Sequence, residues 1–191
     1  MKAGENHHGF TLLEVLITSS IFVIVLFAVY TSFESSQKTV TWGETKVEVQ
    51  QTARVAMGMM ANEIRTAGYD PSNVITLLPT TAVQAATPTA VSFIGDVDGD
   101  NVTDQVTYRL QGTQVIRDFS SWNGATFPAP APEQLADGVS ALTFAYFDGN
   151  DTPTAVLAGI RRITVGLTTQ ATAGSKPETF PLLMDVRVRN Q

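Results

Sequence analysis

Residues 10–30 form an apolar stretch in which Glu14 is the one charged residue. The stretch contains neither glycine nor proline, so nothing in it interrupts a helix. About 20 apolar residues in a helix span a bilayer core of about 30 Å. The pattern therefore predicts a membrane-spanning helix over residues 10–30.

A helical pattern with one apolar face continues over residues 31–67. Gly68 followed by Pro71 is typical of a helix end. At about 1.5 Å per residue the whole helix would be far longer than a bilayer is thick, so its outer part is predicted to pack on a globular head. A coiled coil is the alternative, but the polar run at 35–39 interrupts any heptad seam. The apolar face carries Val49, Ala53, Ala56, Met60, Ile64 and Ala67, and the polar face carries Glu48, Gln51, Arg54, Asn62 and Arg65.

Residues 68–191 change in composition to short β-prone runs separated by turn residues. Apolar and polar residues alternate within several runs, as at Val106, Tyr108 and Leu110, which indicates strands with one buried face. We therefore predict an α+β fold in which the long helix lies across the apolar side of an antiparallel sheet. Residues 120–134 are expected to form a long surface loop. The predicted strands are 90–94, 105–110, 114–119, 139–147, 160–168 and 181–189.

Composition narrows the classes of function. The net charge is −6, and the 12 basic residues are scattered, so no nucleic-acid partner is expected. The chain has no cysteine, so no disulfide can close the head.

Glu14 is unusual because it lies only four residues into the apolar stretch. A carboxylate inside a membrane helix costs roughly 2.5–3.5 kcal/mol on insertion scales, so such a residue usually marks a functional contact. The alternative is a glutamate that sits near the polar membrane interface.

The six residues from Gly9 to Glu14, Gly-Phe-Thr-Leu-Leu-Glu, resemble the class III signal of type IV pilins and of type II secretion pseudopilins. The resemblance implies that a prepilin peptidase cuts between Gly9 and Phe10 and methylates the new amino terminus. Residues 1–9 would then be a cytoplasmic leader, and they lack the long apolar core of an ordinary secretory signal. The resemblance further implies a single-pass protein of the bacterial inner membrane with its head in the periplasm.

The spacing of Phe10 and Glu14 has a physical interpretation. After cleavage Phe10 carries a positively charged amine, and Glu14 of one subunit can neutralise the amine of its neighbour in a low-dielectric medium. Assembly would then remove the cost that each segment carries alone. Implied partners are membrane lipid before assembly, other major and minor pilins, the prepilin peptidase and the inner-membrane assembly platform.

Three further segments are similar to the PilW type of minor pilin: 51–69, 135–148 and 186–190. The similarity implies a structural subunit that helps to initiate or cap a type IV pilus, in the fibre or at its tip. A J-type minor pseudopilin of a type II secretion system is the near alternative. A second alternative is a membrane-tethered, calcium-dependent binding module or adhesin.

The head contains one dense cluster of acids. Asp96, Asp98, Asp100 and Asp104, with the backbone carbonyl of Val102, resemble the start of an EF-hand-type loop and predict a single Ca²⁺ site. The cluster departs from that loop because Asn101 stands where the invariant glycine is expected and Thr107 where the bidentate glutamate is expected. The alternative is a soluble turn between two strands. Residues 148–151, Asp-Gly-Asn-Asp, are expected to form only a turn.

Catalysis has little support in the sequence. The two histidines, His7 and His8, lie in the leader, and no cysteine is present. Removal of the leader would exclude His-based triads, thiol nucleophiles and His-ligated zinc, so we do not expect an enzyme.

Overall fold

Helix α1 comprises Leu12–Thr66 in the computed structural model, which describes residues 10–173 and 176–189. Thr11 caps its first turn, because the Thr11 hydroxyl accepts a hydrogen bond of 3.2 Å from the N–H of Glu14. After α1, Gly68 has a φ of 85°, a left-handed conformation that glycine adopts at little steric cost. The long amino-terminal helix and its stop at Gly68 are therefore confirmed.

The chain divides into two structural units, Met1–Glu44 and Thr45–Gln191. In the first unit every residue from 10 to 41 is exposed. The exposed side chains include Phe22, Ile24 and Phe27, each more than 60% accessible. Such a surface is unfavourable in water, which favours its burial in an apolar environment.

In the second unit the outer part of α1 has one buried face. Ala53, Met60 and Ile64 are fully buried, and Met57 lies beside them. The whole predicted polar face is exposed, so the predicted amphipathic pattern is confirmed. Met57 and Met60 fill the core, as expected of flexible apolar side chains. Val49 is only half-buried.

The head contains two antiparallel sheets. The first has five strands that pair in chain order, so that each neighbour along the chain is also a neighbour in the sheet. The second has three strands, also paired in chain order. A short helix, α2 (Val74–Leu77), precedes the first strand, and a 3₁₀ turn at Leu157–Gly159 precedes the seventh. The strands are β1 Val83–Ala86, β2 Ala90–Gly95, β3 Asp104–Gln111, β4 Gln114–Ser121, β5 Ala131–Ala136, β6 Val139–Phe147, β7 Arg162–Ala173 and β8 Lys176–Arg187.

Both sheets and α1 contribute side chains to one hydrophobic core. Phe93 and Tyr108 pack on each other from β2 and β3, with ring centroids 6.2 Å apart. Tyr146 of β6 ties the second sheet to the first, because its one hydroxyl hydrogen is shared between the carbonyl oxygens of Thr87 at 2.7 Å and Ala90 at 2.9 Å. The α+β prediction is confirmed, with the helix packed on antiparallel sheet.

Three details of the sequence prediction were wrong. The head has two sheets instead of one. β1 was not predicted. The expected loop 120–134 ends in β5, which pairs with β4 at the edge of the five-stranded sheet. The first four residues of β5 are all exposed, so β5 lacks the apolar–polar alternation by which a strand is recognised in a sequence. β5 also contains Pro132, which an edge strand tolerates.

Candidate assembly segment and carboxylate loop

Phe10 and Glu14, which were predicted for processing and assembly, lie at the start of α1, and we call residues 10–14 the assembly segment. Phe10 is 83% exposed and Glu14 lies in the first helical turn, also exposed. Gly9 falls outside the described residues. Thr11 and Glu14 have the spacing of a helix-capping pair, which is a signal in the sequence for the start of this helix. Because Thr11 caps the backbone N–H of Glu14, the helix begins in an ordered turn.

Hydroxyl side chains within the apolar stretch bond to the helix's own backbone. Thr18 donates to the carbonyl of Glu14 at 2.7 Å, and Ser20 donates to the carbonyl of Leu16 at 2.7 Å. These polar groups therefore need no water, which suits an apolar environment. In the described part of the chain, α1 is the one helix long and apolar enough to cross a membrane, by length and composition.

The acidic cluster forms the connection between β2 and β3, and we call residues 96–104 the carboxylate loop. The structure brings together Asp96, Asp98 and Asp104, with one carboxylate oxygen of each within 4.8 Å of the others. Asp96 and Asp104 are buried, and Asp98 is exposed. The carboxylate of Asp100 is exposed and accepts the N–H of Val102 at 2.7 Å, and it does not belong to the group of three.

Backbone N–H groups hold the carboxylate of Asp96. Its Oδ1 accepts from Gly99 at 2.7 Å, and its Oδ2 accepts from Asn101 at 3.1 Å. Both donors have positive φ, 81° at Gly99 and 65° at Asn101, so the chain curls around this side chain. The chain therefore turns sharply at Asn101, the position at which an EF-hand-type loop has its glycine.

Asp104 is fully buried at the start of β3. Its Oδ2 accepts the N–H of Val97 at 3.2 Å, whereas its Oδ1 accepts no hydrogen bond from the described residues. Burial raises the pKa of Asp104 above its usual range. The neighbouring Ser121 hydroxyl and Val97 N–H oppose this shift, and the charges of Asp98 and Asp100 add to it.

The carboxylate loop is fastened to the segment that follows α1. The N–H of Asp96 donates to the carbonyl of Tyr69 at 2.9 Å. The hydroxyl of Thr103 donates to Asp70 Oδ1 at 2.5 Å, and Thr103 and Ser72 exchange two backbone-to-hydroxyl bonds of 3.0 and 3.1 Å. The loop is therefore held from two sides, by its own strands and by the end of the helix.

The second acidic segment forms the predicted turn. Asp148 Oδ1 accepts the N–H groups of Asn150 at 2.8 Å and Thr152 at 2.9 Å, and Asp151 has a positive φ of 60°. Local hydrogen bonds of this kind are what aspartate supplies in turns.

One buried polar cluster was not predicted. Glu63 lies on the buried face of α1, and its carboxylate meets the hydroxyl of Tyr108 at 2.5 Å and the guanidinium of Arg117 at 3.0 Å. A charged residue between Met60 and Ile64 on an apolar helix face was the signal available in the sequence. The cluster joins α1 to the five-stranded sheet.

Comparison with known proteins gives two findings. Residues 5–30 match the family model described as the prokaryotic N-terminal methylation motif. The fold is similar to that of a type IV-like pilin from Thermus thermophilus, with a TM-score of 0.52 and 14% sequence identity. The match covers 74% of this chain and 97% of the Thermus chain. No significant match is found among curated proteins.

Together these findings show a type IV pilin-like fold and a methylation motif at its amino terminus. The motif and the apolar helix fit membrane anchoring and association with pili.

Proposed function

We propose that this type IV pilin-like chain is a minor pilin of the PilW type that helps to initiate or cap a type IV pilus. The observation that carries the proposal is Glu14, an exposed carboxylate in the first turn of an exposed apolar helix, within a prepilin methylation motif. Cleavage between Gly9 and Phe10 would place this carboxylate one helical turn from a new, charged amine.

Magnitudes favour pairing between subunits. The insertion cost of a lone carboxylate is roughly 2.5–3.5 kcal/mol. Two unit charges 4 Å apart attract by about 4 kcal/mol at an effective dielectric constant near 20. A neighbour's Phe10 amine therefore offsets the cost of Glu14, and the exposed apolar side chains of residues 10–41 supply the remaining contact surface. Assembly of like helices would therefore both pair the Glu14 carboxylate and bury the exposed apolar side chains.

The head serves recognition between subunits in this proposal. It lies in the periplasm before assembly and at the fibre or its tip afterwards. Its partners are other major and minor pilins, after the prepilin peptidase has processed the chain and the inner-membrane platform has received it. A small complex of minor pilins lowers the barrier to adding the first major subunits.

Deletion and complementation in the bacterium that encodes the chain test this function. Loss of surface pili on deletion, restoration by the wild type, and failure of Glu14→Ala are expected in electron micrographs. Glu34→Ala is the matched control, because Glu34 is an exposed carboxylate of the same helix paired with Lys38 at 2.7 Å, outside the apolar stretch. Glu34→Ala should restore pili.

Measuring exported proteins in the same strains separates the neighbouring function. Normal pili together with a failure of protein export would overturn the pilus assignment and favour a J-type pseudopilin. Normal pili and export with Glu14→Ala would contradict the assembly role of Glu14.

Mass spectrometry of the mature protein tests processing independently. The expected polypeptide begins at Phe10 and carries one additional methyl group on its amine. A purified chain that still contains residues 1–9 would contradict the proposal at its first step.

A further inference from the structure

The buried oxygen of Asp104 lacks a hydrogen-bonding partner among the described residues. Asp104 has 0% exposure, and its Oδ1 receives no donor. A buried carboxylate oxygen without a donor is costly, and buried charges in proteins are normally paired or bound to a metal. A cation beside Oδ1 would supply the partner that this oxygen lacks among the described residues.

The neighbouring carboxylates complete the arrangement that a cation needs. One oxygen from each of Asp96, Asp98 and Asp104 lies within 4.8 Å of the other two. Oxygen ligands lie about 2.3–2.6 Å from Ca²⁺, so two ligands of one ion are up to about 5 Å apart. The three oxygens can therefore share one ion.

The loop holds two of these ligands in place before any ion arrives. Both oxygens of Asp96 accept backbone N–H groups, and Oδ2 of Asp104 accepts the N–H of Val97. Each carboxylate oxygen has a second lone-pair direction, so these bonds leave room for a metal. Asp98 lies on the exposed side, where water can complete the coordination shell.

We propose that the carboxylate loop binds one Ca²⁺ ion through Asp96, Asp98 and Asp104. The donor set consists only of carboxylate oxygens, with an open side for water, which suits a hard cation that takes six to eight oxygen ligands in flexible geometry. The ion strengthens the attachment of this loop to Tyr69 and Asp70 behind α1, so calcium stabilises the junction of helix and sheet. This inference does not rest on the proposed role in a pilus.

Calorimetric titration and thermal melting of the purified mature chain in detergent test the site. Stripped of metal with chelator, the wild type is expected to bind Ca²⁺ with a dissociation constant of about 10⁻⁴–10⁻³ M, as weak extracellular modules do. Its melting temperature should rise by roughly 3–8 °C at about 10 mM Ca²⁺.

Three variants locate the effect. Asp98→Asn and Asp104→Asn should abolish both the heat and the shift. Asp98 is exposed, so its variant should fold even if the buried one does not. Asp148→Asn is the matched control, because Asp148 also accepts backbone N–H groups in an acidic turn but stands outside the cluster. It should keep the full response.

The melting temperature of Asp104→Asn relative to the wild type should also depend on calcium. Without calcium the variant should melt at the same temperature as the wild type or higher, since it replaces a buried carboxylate that has no cationic partner among the described residues and one oxygen without a donor. With calcium it should melt below the wild type.

Several results would overturn the site. They are the absence of heat and shift at millimolar calcium, an equal shift in Asp98→Asn and wild type, and an equal shift with Mg²⁺ at the same ionic strength. None of these results bears on whether the chain assembles into a pilus, which the pilus assay measures separately.

Discussion

The hydroxyl of Tyr108 donates a hydrogen bond of 2.5 Å to Oε2 of Glu63, which joins β3 to the buried face of α1. The same carboxylate receives the guanidinium of Arg117, 3.0 Å from Oε1. Burial raises the pKa of Tyr108 far above its ordinary value, and the Glu63 carboxylate raises it further. The neutral Tyr108 hydroxyl and the Arg117 guanidinium therefore both bind the buried Glu63 carboxylate, and these contacts attach α1 to the five-stranded sheet.

Tyr108→Phe is expected to destabilise the mature protein by about 1.5–3 kcal/mol, because it removes a buried hydrogen bond to a charged acceptor. Chemical denaturation in detergent measures the change. Tyr69→Phe is the control, since Tyr69 is half exposed, and it should change stability by less than about 0.5 kcal/mol. Equal effects of the two substitutions would show that Tyr108 contributes no more than a surface tyrosine.

Alkaline pH should unfold the protein partly through Tyr108. The folded state holds the phenol proton above its usual pKa of 10, whereas the unfolded state releases it near pH 10. The unfolded state therefore binds fewer protons above pH 10, so the contribution of Tyr108 to stability is constant below pH 10 and is lost as the pH rises above it. One such group contributes a slope of about 1.4 kcal/mol per pH unit.

Denaturation midpoints across pH 9–11 measure that slope. In Tyr108→Phe the fall of stability with pH should be less steep by the contribution of one titrating group. Tyr146→Phe should also reduce the slope, because burial raises the pKa of Tyr146 as well. A slope that is unchanged in Tyr108→Phe would contradict a protonated Tyr108 in the folded state.

The buried face of α1 could be predicted from spacing alone, since Ala53, Met60 and Ile64 recur at the helical period and all three are buried. The pairing of Glu63 with Arg117 could not. These residues are 54 positions apart, and only the approach of β4 to the helix brings their charges together. The local sequence pattern indicates which face of a helix is apolar, but it does not indicate which distant strand packs on that face.

The same limit explains why β5 was missed. β5 pairs Glu133 with Arg117 and Pro132 with Asp118, so a neighbouring strand defines it more than its own side chains do. In the carboxylate loop, the spacing predicted that four acids approach one another. Asp96, Asp98 and Asp104 do so, whereas Asp100 accepts the backbone N–H of Val102 instead. The attachment of the loop behind α1 is long-range, so sequence spacing does not reveal it.

Gly95 marks a close approach of β2 to the end of α1. A Cβ atom there would lie 2.6 Å from the backbone carbonyl oxygen of Thr66. Backbone cannot move aside as a flexible side chain can, so Gly95→Ala is expected to cost about 1–3 kcal/mol by overpacking.

Gly58→Ala is the matched substitution for Gly95→Ala. Gly58 lies within α1 and a Cβ there meets nothing within 4 Å, so the variant should gain about 0.5–1 kcal/mol of helix stability. Denaturation of the unassembled protein in detergent compares the two. Stability changes of opposite sign in the two variants would support the close contact at Gly95, and an unchanged stability in Gly95→Ala would contradict it.

Asp70 holds together segments that are far apart in the chain. Its Oδ1 accepts the hydroxyl of Thr103 at 2.5 Å, and its Oδ2 accepts the N–H of Ile75 at 2.6 Å in the first turn of α2. Asp70→Ala should therefore lower stability by about 1–3 kcal/mol, even in chelator, because it leaves two donors without their acceptor.

Asp148→Ala provides the comparison for Asp70→Ala. Asp148 also accepts two N–H groups, but both lie within four residues, so water can replace its bonds in an exposed turn. The expected loss is about 0.5 kcal/mol. Amide hydrogen exchange adds a second measurement: Asp70→Ala should speed exchange at Ile75 and at the backbone N–H of Thr103, because the anchor of both segments is gone. Unchanged exchange at Thr103 would show that Ser72, which bonds to that N–H, holds the loop without Asp70.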